Sequence, residues 1–261
     1  MSYQHILFDT TNGIARLTLN HPEKLNSLTA AMHGEIRDAL NHVKRELGVR
    51  VLLLTGTGRG FCAGQDLADS AIAANGSDLG AAVEKHYAPL VRTLRALPLP
   101  IVCAVNGVAA GAGANLALAC DIVLAKHSAS FIQPFCKLGL LPDTGGTYFL
   151  PRLVGTARAM GLAMLGTKLS AQQAAAWGLI WKCVADEDFE AELQALLSAL
   201  VAAPTLALAQ IKQAIYSSAS STLDEQLDFE RDSMRELGQS HDYHEGVDAF
   251  LNKRTPEFHG R

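Results

Sequence analysis

Three short stretches of this sequence carry residue types that could do chemistry. Two are glycine turns, Cys62-Ala63-Gly64-Gln65-Asp66 and Gly111-Ala112-Gly113, each just past a buried apolar run. Glycine permits close backbone approach and unusual dihedrals. Two such turns, converging with free N–H groups, would hold the oxygen of a carbonyl or thioester. The plainer alternative is that these glycines only let a helix pack closely on a sheet. The third stretch centres on Asp143, between Leu140-Leu141-Pro142 and Thr144-Gly145-Gly146, with only Lys137 and Arg152 as nearby charges. A carboxyl buried there would titrate above its reference near ~3.9, which suits a general base. Asp after proline and before Thr-Gly-Gly is also a good turn or N-cap residue.

Other patterns carry less. Gly56-Thr57-Gly58-Arg59-Gly60 follows a buried strand and imitates a dinucleotide fingerprint, but the third glycine would fall at Phe61. There is no GxxxxGK[ST] phosphate loop. His241 and His244 stand three apart in a polar segment with no further ligands near, which reads as a solvated face. The five cysteines (Cys62, Cys103, Cys120, Cys136, Cys183) are widely spaced and mostly set in apolar runs, so they read as buried thiols, not as a zinc site or disulfide framework. No metal is expected.

These residues must be positioned by an α/β framework. Ala15, Leu17 and Leu19 share a strand face, and Met32, Ile36, Leu40, Val43 and Leu47 recur at helical spacing after Thr29. Val49 to Thr55 and Ile101 to Val105 are continuous apolar runs, as expected of strands covered on both faces. Residues 56 to 80 read as a long irregular loop. Val83, Tyr87, Leu90, Leu94 and Leu97 mark a helix with Pro89 kinking its first half. The run from Gly111 opens a helix to Cys120, and Ile122 to Leu124 and Ser130 to Ile132 are short strands. Ser170-Ala171-Gln172-Gln173 and Thr222-Leu223-Asp224-Glu225 read as capping boxes. Strand signals then fade, apart from Leu179 to Val184. Residues 1 to about 195 form repeated strand and helix units, and 196–261 a mostly helical part sharing surfaces with them.

The chain has 261 residues, 49% of them hydrophobic, with 22 basic against 26 acidic residues and a net charge of −4. That balance excludes disorder and disfavours nucleic acid, whose affinity rests on phosphate-neutralising cations. No signal peptide is evident at the N-terminus, and no run approaches the ~18 apolar residues of a membrane span. A cytoplasmic protein without a membrane partner is expected.

Laid side by side, Phe61-Cys62-Ala63-Gly64-Gln65-Asp66-Leu67, Ala104 to Gly113 and Leu141-Pro142-Asp143-Thr144-Gly145-Gly146 resemble the crotonase (enoyl-CoA hydratase/isomerase) superfamily. Asn20 to Leu28 is similar to that family's early coenzyme A turn, and Ala249 to Arg254 to its C-terminal CoA-phosphate segment. The resemblance implies a spiral of ββα repeats with a helical C-terminal trimerisation region, assembled as a homotrimer or dimer of trimers. It implies an acyl-CoA substrate, with coenzyme A entering as part of that substrate and no separate cofactor. The thioester oxygen would accept from the N–H groups of Gln65 and Ala112, Gly113 being the adjacent alternative. Ala63, Gly64, Asp66, Leu67 and Gly111 would line the CoA and substrate path. Lys24 and Leu25 would meet its ribose and phosphates, while Phe250 and Lys253 reach the CoA of a neighbouring subunit.

Departures from the family pattern narrow the reaction. Asn115 and Phe135 stand where the hydratases carry two glutamates, and neither transfers a proton as a carboxylate does. The acid falls instead at Asp143, where isomerases of the family have an aspartate. A single base that removes a proton α to the thioester and returns it along the chain is isomerase logic. Gly58 to Leu67, Ala157 to Leu162 and Trp177 to Trp181 are most similar to family members that turn ring-1,2-epoxyphenylacetyl-CoA into oxepin-CoA and shift Δ3 double bonds to Δ2. Phe135, Leu140 and Leu141, with Trp177, would line an aromatic acyl pocket. Two other readings stay open: an enoyl-CoA hydratase, and a non-catalytic acyl-CoA-binding or RNA-binding member.

Overall fold

The computed structural model describes residues 3–69 and 78–261. The apolar runs become the centre of a six-stranded sheet in the order β1-β2-β3-β5-β7-β10. Its strands are β1 (Ile6–Thr11), β2 (Ile14–Leu19), β3 (Val51–Gly56), β5 (Ile101–Val105), β7 (Ile122–Lys126) and β10 (Lys182–Val184). Only β1 and β2 pair antiparallel; the other neighbours are parallel. A second sheet, β4-β6-β8-β9, is built from β4 (Gly60–Cys62), β6 (Val108–Ala110), β8 (Ser130–Ile132) and β9 (Lys168–Ser170).

Each of β3, β5 and β7 is thus followed by a short strand in the second sheet. The pairs β3/β4, β5/β6 and β7/β8 take adjacent places in both sheets. This is the expected ββα spiral. Gly60–Cys62 corrects the reading of 56–80 as one irregular loop: the segment contains a strand, and 70–77 lie outside the described residues. β4 also carries an irregularity, Gly60 pairing with Val108 and Cys62 with the next residue, Ala109. One extra residue on β4 therefore opposes the β6 register.

The alternation within β3 shows why its sequence is apolar throughout. Leu52 and Leu54 face a core with α1 (Ala30–Arg45) and its Met32, Ile36 and Leu40. Val51 and Leu53 face the other way, onto Phe189, Leu193 and Leu197 of the helix Phe189–Ala202. Thr29 caps α1 by accepting from the Met32 N–H at 3.1 Å.

The helix expected after residue 80 is α2, made of Leu79–Ala82, a wide π turn at Val83–Tyr87, and Ala88–Ala96. Pro89 has no N–H to give to the preceding turn, and the Ala88 N–H bonds to Val83 O, five residues back. The kink is therefore a π turn just ahead of the proline. Next come α3 (Ala112–Leu118), α4 (Gly146–Leu165, broken at Gly155), α5 (Ala171–Ala176) and α6 (Phe189–Ala202). The chain ends with α7 (Thr205–Ser218), α8 (Leu223–Leu237) and α9 (His241–Leu251). Thr222 makes both halves of its capping box, whereas Ser170 makes only the half to the Gln173 N–H.

The division expected at 195 falls inside α6. The helices beyond it are tied to the core. Lys212 of α7 is buried, pairs with Asp121 at 2.9 Å and donates to Leu94 O at 2.9 Å. Arg50 donates to Thr205, Ala203 O and Phe258 O. His241 and His244 are exposed, as a solvated face requires, but Asp242 between them is not. Asp242 is buried and accepts from the N–H groups of His259 and Gly260, both at 2.7 Å, because the C-terminal residues fold back onto it. The thiols divide: Cys62, Cys103 and Cys120 are buried, while Cys136 and Cys183 are partly exposed.

Candidate active site

The second sheet sets the two glycine turns beside each other, because β4 and β6 are neighbours and each turn lies just past its strand. A Cβ on Gly64 would stand 2.9 Å from Ala110 O and 3.4 Å from Ala112 N, and Gly64 has φ +92°. Gly113 is as constrained: a Cβ there would fall 2.3 Å from Cys62 O. Gly111, at φ 54° and ψ −128°, occupies a conformation open to glycine and precedes the first turn of α3.

Both turns leave N–H groups free. The bridge between Leu28 and Gln65 uses the Leu28 N–H to Gly64 O, at 2.7 Å, and the Asp66 N–H to Leu28 O, at 3.0 Å. The Gln65 N–H between them points away from that ladder and meets no acceptor among the described residues. Ala112 and Gly113 open α3, and the first N–H groups of a helix have no intrahelical acceptor. The turns can therefore present two donors to one oxygen, with either α3 residue as the second.

The early turn is stitched to the same place. Leu25 and Asn26 both adopt left-handed conformations, φ 52° and 57°. Asn26 is fully buried; it accepts from the His21 N–H at 2.8 Å and donates to Thr57 O and Gly60 O, both at 2.9 Å. The Ala63 N–H bonds to Leu25 O at 2.9 Å. Lys24 is half-exposed at this rim, 3.8 Å from Asp66. Leu67 is exposed nearby in sequence. A phosphate-bearing ligand would find Lys24 accessible and only loosely paired.

Asp143 lines a cavity of about 590 Å³ together with Phe135, Leu140 and Leu141, and with Leu79, Gly80, Val83, Glu84, Ala88 and Arg92 of α2. That volume suits a small acyl group. Phe135 links the cavity to the second glycine turn, its ring lying 3.7 Å from where a Gly111 Cβ would stand. Trp177 is not brought in; it packs on the core under Arg158, 4.9 Å from its ring. Phe250 and Lys253 also lie away from this cavity, Phe250 exposed on α9 beside an apolar groove of about 740 Å³.

Burial holds the Asp143 carboxyl above the usual carboxylate range, and the Thr144 hydroxyl, donating to it at 2.9 Å, partly opposes that rise. No ion pair reaches it among the described residues; Arg152 instead stacks on Tyr148. The capping alternative is not what this side chain does, since Gly145 occupies the N-cap of α4. Cys62 lies beneath α3, and burial pushes its thiol up to about 12, so it is no nucleophile. Among the described residues no three His, Cys, Asp or Glu groups could hold a metal ion.

Sequence reasoning missed Glu84, whose carboxylate has no ion pair or hydrogen bond among the described residues and which shares the cavity with Asp143. The π turn hid it by changing which residues of α2 face inward. It took Tyr87 only as a helix position, whereas its buried hydroxyl has no partner among the described residues, and it missed His33, stacked edge-on against that ring at 4.6 Å. It also missed the use of Asn115, buried in α3, which donates to Asp143 O at 2.8 Å.

Comparisons with known proteins agree with this fold. The description of the enoyl-CoA hydratase/isomerase family matches residues 9–261. The chain is 55% identical over 260 residues, covering 99% of each chain, to 1,2-epoxyphenylacetyl-CoA isomerase of Escherichia coli (strain K12). It is 48% identical, over the full length of both, to a Rhodobacter capsulatus protein named "Probable enoyl-CoA hydratase". The crystal structure of an enoyl-CoA hydratase from Bacillus anthracis superposes with a TM-score of 0.93 at 33% identity, covering 99% of this chain and 100% of that one. With its paired strands, facing glycine turns and nearly full-length match, this chain belongs to the enoyl-CoA hydratase/isomerase family.

Proposed function

We propose that this chain is an isomerase of CoA thioesters that converts 1,2-epoxyphenylacetyl-CoA to oxepin-CoA and shifts Δ3 double bonds to Δ2. The observation that carries the reading is Asp143: a carboxyl raised by burial, in an apolar cavity beside two turns with free N–H groups. The Escherichia coli relative bears the corresponding name.

Asp143, ionised, takes a proton from the carbon α to the thioester. The Gln65 and Ala112 N–H groups take up the charge that develops on the thioester oxygen, and Gly113 is the alternative second donor. Asp143 then returns the proton farther along the carbon framework: at C4 in the Δ3 reaction, or on a ring carbon in the epoxide reaction, where the ring C–C bond shared with the epoxide also opens and its electron pair re-forms as double bonds of the seven-membered ring. No atom is gained or lost. Phe135, Leu140 and Leu141 hold the acyl group. Lys24 and Leu25, with Ala63, Gly64, Asp66, Leu67 and Gly111, line the path of the CoA moiety. Phe250 and Lys253 serve the site of a neighbouring copy. The working form is a homotrimer or dimer of trimers: α8 buries none of its residues, and Leu223, Leu227, Met234, Val247 and Phe250 are exposed on the C-terminal helices. We place the protein in the cytoplasm; no single helix among its described residues is long and apolar enough to cross a membrane.

The test is a panel containing the ring epoxide and a Δ3-enoyl-CoA, followed by product mass and absorbance. Oxepin formation is expected, and exclusive hydration would refute the assignment. Asp143→Asn is expected to keep acyl-CoA binding while kcat collapses. Glu84 favours one second reading, hydration, by supplying the cavity with a second carboxylate. Loss of the conjugated enoyl absorbance of crotonyl-CoA, abolished by Glu84→Gln, would establish it.

A further inference from the structure

Asn115 is completely buried, and both ends of its amide are used. Its Nδ2 donates to the backbone carbonyl of Asp143 at 2.8 Å, and its Oδ1 accepts from Gln133 Nε2 at 2.7 Å. The Asp143 carbonyl can only accept, so it fixes which end of the amide faces it and leaves Oδ1 for Gln133. The turn after Asp143 lies directly on this amide: a Cβ on Gly146 would come within 2.4 Å of Asn115 Nδ2. The Gly146 N–H also donates to Asp143 O, at 2.7 Å, so the carbonyl is held from two sides.

Asn115 stands three residues after Ala112 on α3, and its N–H closes the first turn onto Gly111 O at 3.1 Å. One short side chain therefore joins the helix that offers an N–H to the thioester oxygen and the backbone that carries the acid. The position demands a donor toward Asp143 O and an acceptor toward Gln133. An amide offers both; an ionised carboxylate only accepts, and an aliphatic group does neither.

We propose that Asn115 is a positioning residue, fixing the reach of the Asp143 carboxylate relative to the Gln65 and Ala112 N–H groups, with Gln133 holding the other end of its amide. The proposal rests on the reading of Asp143 as the base. Asn115 is fully buried with both ends of its amide taken, so it acts through Asp143. A misplacement of about 1 Å costs on the order of 10²-fold in rate, and the side chain's own hydrogen bonds bear on the base, not on CoA.

The experiment is a double-mutant cycle. Asn115→Leu, and Asn115→Asp as the variant that keeps the side chain's shape, are made in the wild-type chain and in Asp143→Asn. In the wild-type background kcat for Δ3-enoyl-CoA isomerisation is expected to fall about 10- to 100-fold, while binding of butyryl-CoA, an unreactive saturated thioester, changes less than about threefold. In the Asp143→Asn background the same substitutions are expected to cost almost nothing further. Equal losses in both backgrounds, weakening of butyryl-CoA binding in step with kcat, or unchanged turnover would each overturn the proposal. The first two would assign Asn115 to the integrity of α3 and its N–H groups. If Asp143→Asn alone keeps its turnover, the base reading fails and this inference falls with it. A folded Asp143→Asn whose turnover has collapsed to a small residual rate, with the Asn115 substitutions still costing their full factor on that rate, sinks the inference alone.

Discussion

Gly64→Ala perturbs the two glycine turns with a single carbon. The new Cβ would stand 2.9 Å from Ala110 O and 3.4 Å from Ala112 N, both backbone atoms of the facing turn. Backbone yields only by moving the turn, so the Gln65 and Ala112 donors must separate by some tenths of an ångström. Alanine at φ +92° adds strain of about 1–3 kcal/mol. At about 2–4 °C per kcal/mol for a chain of this size, Tm should fall by roughly 2–12 °C. The donor geometry matters more: losing one oxyanion donor typically costs about 10²- to 10³-fold in kcat, or about 2.7–4 kcal/mol, and a partial displacement should reach the lower end. The assay is kcat and KM for Δ3-to-Δ2 isomerisation by enoyl absorbance, beside a thermal melt. Gly155→Ala is the control, because Gly155 has φ +75° but nothing within 4 Å of its Cβ position. It should lose stability and keep its turnover. A folded Gly64→Ala within threefold of wild type, or a Gly155→Ala equally impaired, would refute the argument that these turns act through their closeness.

Four further outcomes follow from buried titrating groups. Asp143 is raised by burial, so at neutral pH its charge costs stability; Asp143→Asn should melt higher than wild type at pH 7 even as activity collapses, and a lower Tm would contradict the desolvation argument. As the base it must be ionised, so kcat should fall as pH drops through a midpoint above the ordinary carboxylate range. Thr144→Val, which removes the bond that favours the ionised form, should move that midpoint to still higher pH; no shift would show the hydroxyl to be idle. Burial lowers His33 to about 3 from 6.5. The unfolded chain therefore binds the extra proton first as pH falls below 6.5, and stability present above that value is lost progressively toward 3. By pH 4 the loss is about 3 kcal/mol at about 1.36 kcal/mol per unit. His33→Gln should show a shallower decline between pH 7 and 4 in denaturant titrations, and parallel curves would count against it.

Much of the site was legible because its parts obey local rules. Gly64 and Gly111 announce backbone conformations that side chains resist, and Asp143 is an acid in apolar company. Phe135, Leu140 and Leu141 surround it within a few residues, so their meeting in one cavity needed little long-range information. What stayed hidden depends on remote partners or small registers. Gly60–Cys62 is too short and glycine-rich to signal a strand until β6 lies beside it. Glu84 reads as surface charge on a helix, and the π turn at Val83–Tyr87 changes which residues face the cavity. Asp242 looked solvated because residues 258–261, which cover it, are distant enough for local patterning to miss. Trp177 was drawn toward the pocket by its chemistry, but its position at the end of α5 sets it under Arg158.

The irregularity in β4 has a consequence for how this segment can change over time. Gly60 and Cys62 pair with consecutive residues of β6, so the place of Gly64 opposite Ala110 and Ala112 depends on the number of residues between Gly60 and Gly64. Side-chain identity there governs packing, and chain length governs alignment. A one-residue deletion between Phe61 and Ala63 would slide the free Gln65 N–H out of line with the Ala112 N–H even if every remaining side chain were kept. Substitutions in this stretch can be graded in effect; insertions and deletions cannot. The segment should behave as a fixed-length ruler whose markings are free to vary more than their count.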